Sequence, residues 1–235
     1  MHRTEHLLAT AWDRETHLRV LDVTELVIFD NDGVLVDSER LANTILAGLL
    51  TEAGLPYTFE EAVRDFMGGS MVSMRQKAEA QLGSPLPADL EDRYHQRLFD
   101  GFAHLQPVPG VREVLDQLDA AGITYCLASS GTHRRIHTAL TAVGFWERFE
   151  GRIFSSEDVR HGKPAPDLFL HAASTMGVKP ADCVVVEDSP LGVAAANAAG
   201  MKVFGFAAMT APEKLAAATA TFHEMTALPT LIQTA

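Results

Sequence analysis

The sequence predicts an α/β fold, in which a doubly wound parallel sheet carries an inserted, all-helical subdomain. Short apolar runs alternate with amphipathic segments along most of the chain, and strands that alternate with helices form parallel sheets covered on both faces. Residues 38–105 break this alternation, because they contain helical patterns and no convincing strand. We therefore predict an N-terminal arm over residues 1–22, a sheet domain over residues 23–37 and 106–235, and a helical subdomain over residues 38–105.

Five apolar runs are predicted as strands. Each is too short for a helix, and most are rich in β-branched or aromatic residues. In chain order they span residues 26–29, 123–128, 152–154, 183–186 and 202–206. The run at 152–154 carries the weakest signal of the five.

The segments between these runs have the periodicity of helices. Residues 109–122 place Val111, Val114 and Leu118 on one stripe, with a proline near the start and a glycine after the end. Residues 165–177 and 190–200 follow the same rule. Within the insertion, helical patterns cover residues 41–54, 59–68, 71–83 and 88–105.

Composition and charge restrict the class of protein. The 235 residues are 47% hydrophobic and 21% charged, as in a soluble globular protein. A net charge of −12 argues against nucleic acid or an anionic membrane as partner, because such surfaces need clustered Lys and Arg. No apolar run approaches the ~20 residues that span a bilayer, and the N-terminus lacks the apolar core of a secretion signal. Cys126 and Cys183 lie in apolar runs, as expected of buried thiols, so we predict a cytoplasmic protein.

Reactive side chains follow four of the predicted strands, at the point where each strand ends. The carboxyl ends of parallel strands lie side by side, so these side chains are expected to converge on one pocket. They are Asp30, Asn31 and Asp32 after the first strand, Ser129, Ser130 and Gly131 after the second, Lys163 after the third, and Glu187, Asp188 and Ser189 after the fourth.

The predicted pocket suits a metal ion together with a phosphoryl group. Asp30 and Asp188, with a backbone carbonyl from the first loop, offer the hard oxygen ligands that Mg²⁺ prefers. Lys163 and Ser129 add a positive charge and a hydroxyl donor, and backbone N–H groups around Ser130 add an anion site. A phosphoryl group can bridge metal, lysine and amides together, which a carboxylate does less well. A small phosphorylated metabolite is therefore the expected substrate.

Four sequence motifs resemble those of the haloacid dehalogenase superfamily. FDNDGVLVDS, the strand ending LASSG, GKPAPDLF and VVVEDSPLGVAAANAAGM occur in the family's order, and the resemblance covers nearly all of residues 25–205. The chain is most similar to the branch of phosphatases and phosphomutases whose small helical cap follows the first motif. The resemblance implies a Rossmann-like core in which the first strand is central, with residues 38–105 as the cap.

The resemblance also implies a role for each matching position. Asp30 corresponds to the nucleophile that forms an aspartyl phosphate, and Asp32 to the general acid and base, whose backbone carbonyl would bind Mg²⁺. Ser129 and Lys163 correspond to phosphate-binding positions. Asp188 corresponds to a metal ligand, with Glu187 as a further ligand or as an outer partner of the ligands. The presence of Asp32 counts against the dehalogenases, which usually lack this second acid.

Two other functions stay open. Sugar-phosphate mutases of this branch tend to have a histidine where this chain has Ala42, which favours a phosphatase over a mutase. A phosphoryl-accepting signalling module also groups acids and a lysine around Mg²⁺, but such modules are about half this length and lack a helical insertion.

Gly69, Ser70 and Arg75 are possible substrate contacts of the cap. Asp37 and Ser38 either cap the first cap helix or touch a ligand. The sequence leaves the substrate's identity and the oligomeric state open.

Overall fold

The structure is a computed structural model that describes residues 24–66 and 71–234. Six of the described segments form one parallel sheet, in the order β3-β2-β1-β4-β5-β6. The strands are β1 Leu26–Phe29, β2 Thr124–Ser129, β3 Ile153–Ser155, β4 Cys183–Glu187, β5 Lys202–Phe206 and β6 Ala220–Phe222. The predicted doubly wound sheet is confirmed. The five predicted strands are present, and the sixth, β6, was not predicted.

Ten α-helices are found in the described part of the chain. Four lie within the insertion, and the other six lie between strands of the sheet or, for α10, after the last strand. They are α1 Ser38–Glu52, α2 Phe59–Phe66, α3 Met71–Leu82, α4 Leu90–Gly101, α5 Val111–Ala121, α6 His133–Ala142, α7 Trp146–Phe149, α8 Asp167–Met176, α9 Pro190–Ala198 and α10 Leu228–Thr234. The predicted N-terminal arm, residues 1–22, lies outside the described residues.

β1 lies at the centre of the sheet and is buried on both faces. It pairs in parallel with β2 on one side and with β4 on the other. Successive side chains of a strand point to opposite faces, so Val27 and Phe29 join one hydrophobic cluster while Leu26 and Ile28 join the other. Helices α5, α6 and α10 cover the first face, and α8 and α9 cover the second. This packing explains why the run at residues 26–29 is apolar throughout.

Helices α1–α4 have a hydrophobic cluster of their own. Leu49 and Leu50 of α1 pack there with Ala62, Ala78 and Leu90 from the other three helices. The following 3₁₀ turn at Phe102–His104 packs instead with the cluster that covers the sheet. We propose on this basis that residues 38–105 form a cap whose last turn rests on the sheet domain.

The two chain segments that connect the sheet with the inserted helices run beside each other. Val36 forms an antiparallel bridge with Pro107. The N–H of Asp37 donates to the carbonyl of Gln106 at 2.9 Å, and that of Val108 donates to the carbonyl of Leu35 at 3.1 Å. The pairing fixes the start of α1 next to the carboxyl end of β1. No helix among the described residues has the length and apolar composition needed to cross a bilayer.

Candidate active site

The loop after β1 places Asp30 at the carboxyl edge of the sheet. The N–H of Asp30 donates to the carbonyl of Val186 at 3.0 Å, which ties the loop to β4. Gly33 then turns the chain with a φ of 75°, and a Cβ there would lie 2.0 Å from Oδ2 of Asp188. Only glycine satisfies both the positive φ and this close approach. Asp30 and Asp188 therefore lie on neighbouring strand ends.

Lys163 connects three parts of this edge through its ammonium group. Its Nζ donates to Oδ1 of Asp30 at 2.6 Å, to Oε1 of Glu187 at 2.5 Å, and to the carbonyl of Ala128 at 3.1 Å. The side chain is only 4% exposed. Burial lowers the pKa of Lys163, but the two carboxylates outweigh this and raise it above its ordinary value, so the side chain is a fixed cation.

Asp30 titrates far above the range of an ordinary aspartate. Burial raises its pKa to about 7; the charge of Lys163 opposes the rise, and the charges of Glu187 and Asp32 reinforce it. A carboxylate that is buried next to other acids resists ionisation unless further positive charge is supplied. The site therefore holds less positive charge than its acids require.

The two oxygens of Glu187 are both bound within the fold. Oε1 accepts from Lys163, while Oε2 accepts from the N–H of Ser189 at 2.9 Å and from its hydroxyl at 2.8 Å. Gly192, in the first turn of α9, leaves the space, because a Cβ there would lie 1.9 Å from the carboxyl group of Glu187. These contacts favour an outer role for Glu187, orienting Lys163, over direct metal binding.

A cluster of three acids could hold a metal ion. Oxygen atoms of Asp30, Glu187 and Asp188 lie within 4.8 Å of one another. Burial, followed by the charges of Glu187 and Asp30, raises the pKa of Asp188 well above its ordinary value. No ion pair joins Asp188 to a cation within residues 24–66 and 71–234. An unpaired, half-buried carboxylate such as that of Asp188 fits a hard divalent cation, which would supply the missing charge.

The turn after β2 contributes small polar groups. Ser129 is buried, and its Oγ accepts from the N–H of Gly131 at 3.0 Å. The hydroxyl hydrogen stays available to donate. Ser130 is exposed, and its carbonyl accepts from Ser156 at 2.8 Å. Ser129 borders the acids through β2, which neighbours β1, while Ser130 lies at the rim.

Asp32 stands apart from the ammonium of Lys163 and has a different set of partners. Its Oδ1 accepts from the hydroxyl of Ser38 at 2.7 Å and from the guanidinium of Arg135 at 2.9 Å. The structure does not show the capping role considered for Asp37 and Ser38. Asp37 is the N-cap residue of α1 but makes no side-chain cap bond, and the hydroxyl of Ser38 binds Asp32 instead. The two acids of the first loop thus pair with different cations, Asp30 with Lys163 and Asp32 with Arg135.

Sequence reasoning missed two residues near Asp32. Arg135 follows β2 by several residues on α6, so its direction depends on how that helix packs. Glu39 is the second residue of α1, and burial together with the charge of Asp32 raises its pKa. Glu39 and Asp188 both line two neighbouring cavities, of about 430 and 480 Å³, which open at the edge of the site. The sequence could have indicated Glu39 as a site residue, because Glu39 directly follows the first motif.

Of the cap residues named from the sequence, Arg75 is described by the structure, and its contacts lie within the inserted segment and not at this edge of the sheet. Arg75 donates to Oε1 of Glu79 at 3.2 Å and to the carbonyls of Leu86 and Pro87 at 3.3 and 3.2 Å, so it holds α3 to the chain that follows. Gly69 and Ser70 lie outside the described residues.

The sequence is similar to those of known hydrolases and phosphatases. The sequence profile of the haloacid dehalogenase-like hydrolases matches residues 27–206. A probable pseudouridine-5'-phosphatase of Drosophila melanogaster is 35% identical over 193 residues, covering 79% of this chain and 82% of that protein. The 6-phosphogluconate phosphatase of Escherichia coli is 29% identical, covering 78% of this chain and 83% of its own.

A solved structure shares the fold over nearly its whole length. It is a HAD family hydrolase from Deinococcus radiodurans with bound phosphate and sodium. The TM-score is 0.81 and the identity 29%, over 89% of this chain and 95% of that chain. Because the family profile covers most of the sheet, the inserted helices and all four strand-end clusters, the chain belongs to the haloacid dehalogenase-like hydrolases.

Proposed function

We propose that this protein is a Mg²⁺-dependent phosphatase that hydrolyses a small phosphate monoester through an aspartyl phosphate on Asp30. The ion pair between Asp30 and Lys163, set beside the acidic cluster with Asp188, is the observation that carries the proposal. Lys163 holds Oδ1 of Asp30, which leaves Oδ2 as the attacking oxygen. The named relatives are phosphatases, and the Deinococcus radiodurans structure binds phosphate, which supports a phosphoryl substrate.

The first half of the reaction transfers the phosphoryl group to the protein. An Asp30 oxygen forms a bond to phosphorus as the ester P–O bond breaks, and the leaving oxygen takes a proton from Asp32. Lys163 and the hydroxyl of Ser129 would bind the phosphoryl oxygens, where negative charge develops. Lys163 lowers the pKa of Asp30 against the effect of burial, and the proposed Mg²⁺ would supply the further charge that ionisation of this nucleophile requires.

The second half returns Asp30 to its starting state. Asp32, now a carboxylate, takes a proton from water, whose oxygen bonds to phosphorus as the bond to Asp30 breaks. Inorganic phosphate leaves, and Asp32 is again protonated. The proposed Mg²⁺ would be held by Asp30, Asp188 and the backbone carbonyl of Asp32, and it would offset the charge of acids and phosphate.

The substrate class we propose is a phosphorylated sugar or sugar acid. Two relatives are named as a probable pseudouridine-5'-phosphatase and a 6-phosphogluconate phosphatase, and each name specifies a phosphorylated compound that contains a sugar or a sugar acid. Ala42 lies on α1, and no histidine stands at this position to serve a mutase. A phosphatase is thus favoured over a hexose-phosphate mutase.

The proposal is tested with a panel of phosphate monoesters, assayed for released phosphate with Mg²⁺ and with a chelator. We expect hydrolysis that depends on the metal and is abolished in Asp30→Asn. Asp116→Asn, a substitution of an exposed acid on α5, serves as the control and is expected to keep full activity. Acid quenching during turnover should trap phosphate on the wild-type chain. Hydrolysis that persists in Asp30→Asn would refute the assignment.

A further inference from the structure

Arg135 reaches from the sheet domain to the acid of the first loop. It lies in the first turn of α6, where its own N–H donates to the hydroxyl of Thr132 at 3.3 Å. Its guanidinium donates to Oδ1 of Asp32 at 2.9 Å, across 103 positions of sequence. No other ion pair joins Asp32 to a cation in the part of the chain that the structure describes.

Two donors meet on one oxygen of Asp32. Ser38 and Arg135 both donate to Oδ1, and no donor from the described residues is found at Oδ2. An oxygen that accepts two hydrogen bonds does not carry the acidic hydrogen as well, so a protonated Asp32 carries it on Oδ2. The same contacts fix the plane of the carboxyl group. Oδ2 therefore has no bound donor among the described residues.

We propose that Arg135 is a positioning residue, which orients Asp32 so that Oδ2 gives the proton to the leaving oxygen and later takes one from water. This inference rests on the proposed phosphatase function. Arg135 is proposed to contact neither the substrate nor the phosphate, and to affect the reaction only through the orientation of Asp32.

The surroundings of Arg135 support a functional role over a purely structural one. Its Nε is buried and has no hydrogen-bond acceptor among the described residues. A buried, unpaired donor costs roughly 1–3 kcal/mol, which is a poor choice for a residue that only stabilises the fold. The guanidinium also lies 5.4 Å from the ring centre of Phe102, in the turn that ends the proposed cap. Arg135 therefore contacts Asp32 and the cap at the same time.

The neighbouring residue provides a matched control. Arg134 is also on α6 and also stacks on an aromatic side chain of the proposed cap, with its guanidinium 4.9 Å from the ring centre of Phe99. It makes no ion pair with Asp32 within the described chain. Replacing Arg134 thus removes a cation and a contact to the cap but leaves Asp32 untouched.

The test compares substrates that differ in their need for a proton. An alkyl phosphate releases a strongly basic alkoxide and depends on the general acid, whereas p-nitrophenyl phosphate releases a stable phenolate and does not. We would measure kcat/KM for both, because this ratio reports the steps up to the departure of the leaving group. Arg135→Met keeps the length of the side chain while removing the guanidinium.

We expect Arg135→Met to lose about 10- to 100-fold in kcat/KM for the alkyl phosphate and less than about threefold for p-nitrophenyl phosphate, since a general acid contributes roughly 100-fold or more. Arg134→Met should lose little on either substrate. If thermal unfolding shows that Arg135→Met is poorly folded, Arg135→Lys replaces it and should show a smaller loss that is again confined to the alkyl phosphate, because an ammonium can still donate to Asp32 but lacks the planar guanidinium.

Equal losses on both substrates, or no loss on either, would overturn the positioning role while leaving the phosphatase function intact. Failure of the wild-type protein to hydrolyse either substrate would instead contradict the proposed function itself. The two failures are therefore separable within one experiment.

Discussion

Asp30→Asn should stabilise the metal-free protein, and by an amount that grows with pH. The pKa of Asp30 is raised from 3.8 to about 7 in the folded protein. Between these values the folded chain holds a proton that the unfolded chain has lost, so wild-type stability falls as pH rises. Asparagine does not titrate and escapes this loss. The variant's advantage therefore rises through this interval and is constant above about pH 7.

The size of the effect follows from the shift. One pKa unit corresponds to about 1.4 kcal/mol, so a rise from 3.8 to about 7 makes ionised Asp30 cost about 4 kcal/mol. Between about pH 5.5 and pH 8, the free energy of unfolding of Asp30→Asn relative to wild type should increase by about 2 kcal/mol. This range stays above the sequence pI of 5.2, near which solubility is lowest.

The measurement is urea unfolding of both proteins across this pH series in the presence of a chelator. Asp116→Asn, on the surface of α5, is the control and should show no pH-dependent difference of this size. The difference in the free energy of unfolding between Asp30→Asn and wild type should grow with pH. If it stays constant, or shrinks as pH rises, the site does not lack positive charge around Asp30.

Three further predictions concern the same edge of the sheet. Lys163→Met should reduce kcat by about a hundredfold to a thousandfold in a steady-state assay, because it removes a preorganised charge at the phosphoryl oxygens; a small loss would contradict this. Gly192→Ala should cost about 1–3 kcal/mol in urea unfolding and reduce activity, since its Cβ would displace the carboxyl group of Glu187. Its control is Gly48→Ala, in the middle of α1 with no neighbour within 4 Å, which should instead stabilise by about 0.5–1 kcal/mol. Mg²⁺ at about 100 times its Kd should add about 2.7 kcal/mol to wild-type stability in thermal unfolding and much less to Asp188→Asn; an equal gain in both would place the metal elsewhere.

The parts of the fold that sequence could predict are those with strong local signals. β1 is four apolar residues bounded by acids, and α5 carries a clear apolar stripe that ends at Gly122. β6 was missed because Ala220–Phe222 is short, lies in an alanine-rich stretch, and pairs only at the edge of the sheet. Its position is set by β5, which no local pattern reveals.

The residues of the candidate site likewise fall into those that the sequence could place and those that it could not. Asp30 and Asp188 follow strands directly, so the parallel sheet fixes where they lie. Arg135 was not predicted, because a residue on a helix reaches the site only through the packing of α6 against the inserted segment. The position of Glu187 beside Lys163 likewise depends on Gly192, a residue of the following helix α9 that leaves space for the carboxyl group. Contacts that depend on tertiary packing leave little trace in sequence.

The balance of charge in the site links metal binding to substrate binding. Four acids, Asp30, Asp32, Glu39 and Glu187, all raise the pKa of Asp188. Lys163 and Arg135 are the two cations bound to this group within the described chain, and neither contacts Asp188. A phosphate dianion would add to an existing excess of negative charge, which disfavours its binding unless a divalent cation enters first or with it. Substrate affinity should therefore fall sharply when Mg²⁺ is removed, even in an Asp30→Asn protein that binds substrate without turnover. Calorimetric titration of that variant with and without Mg²⁺ measures the linkage, and equal affinity under both conditions would contradict it.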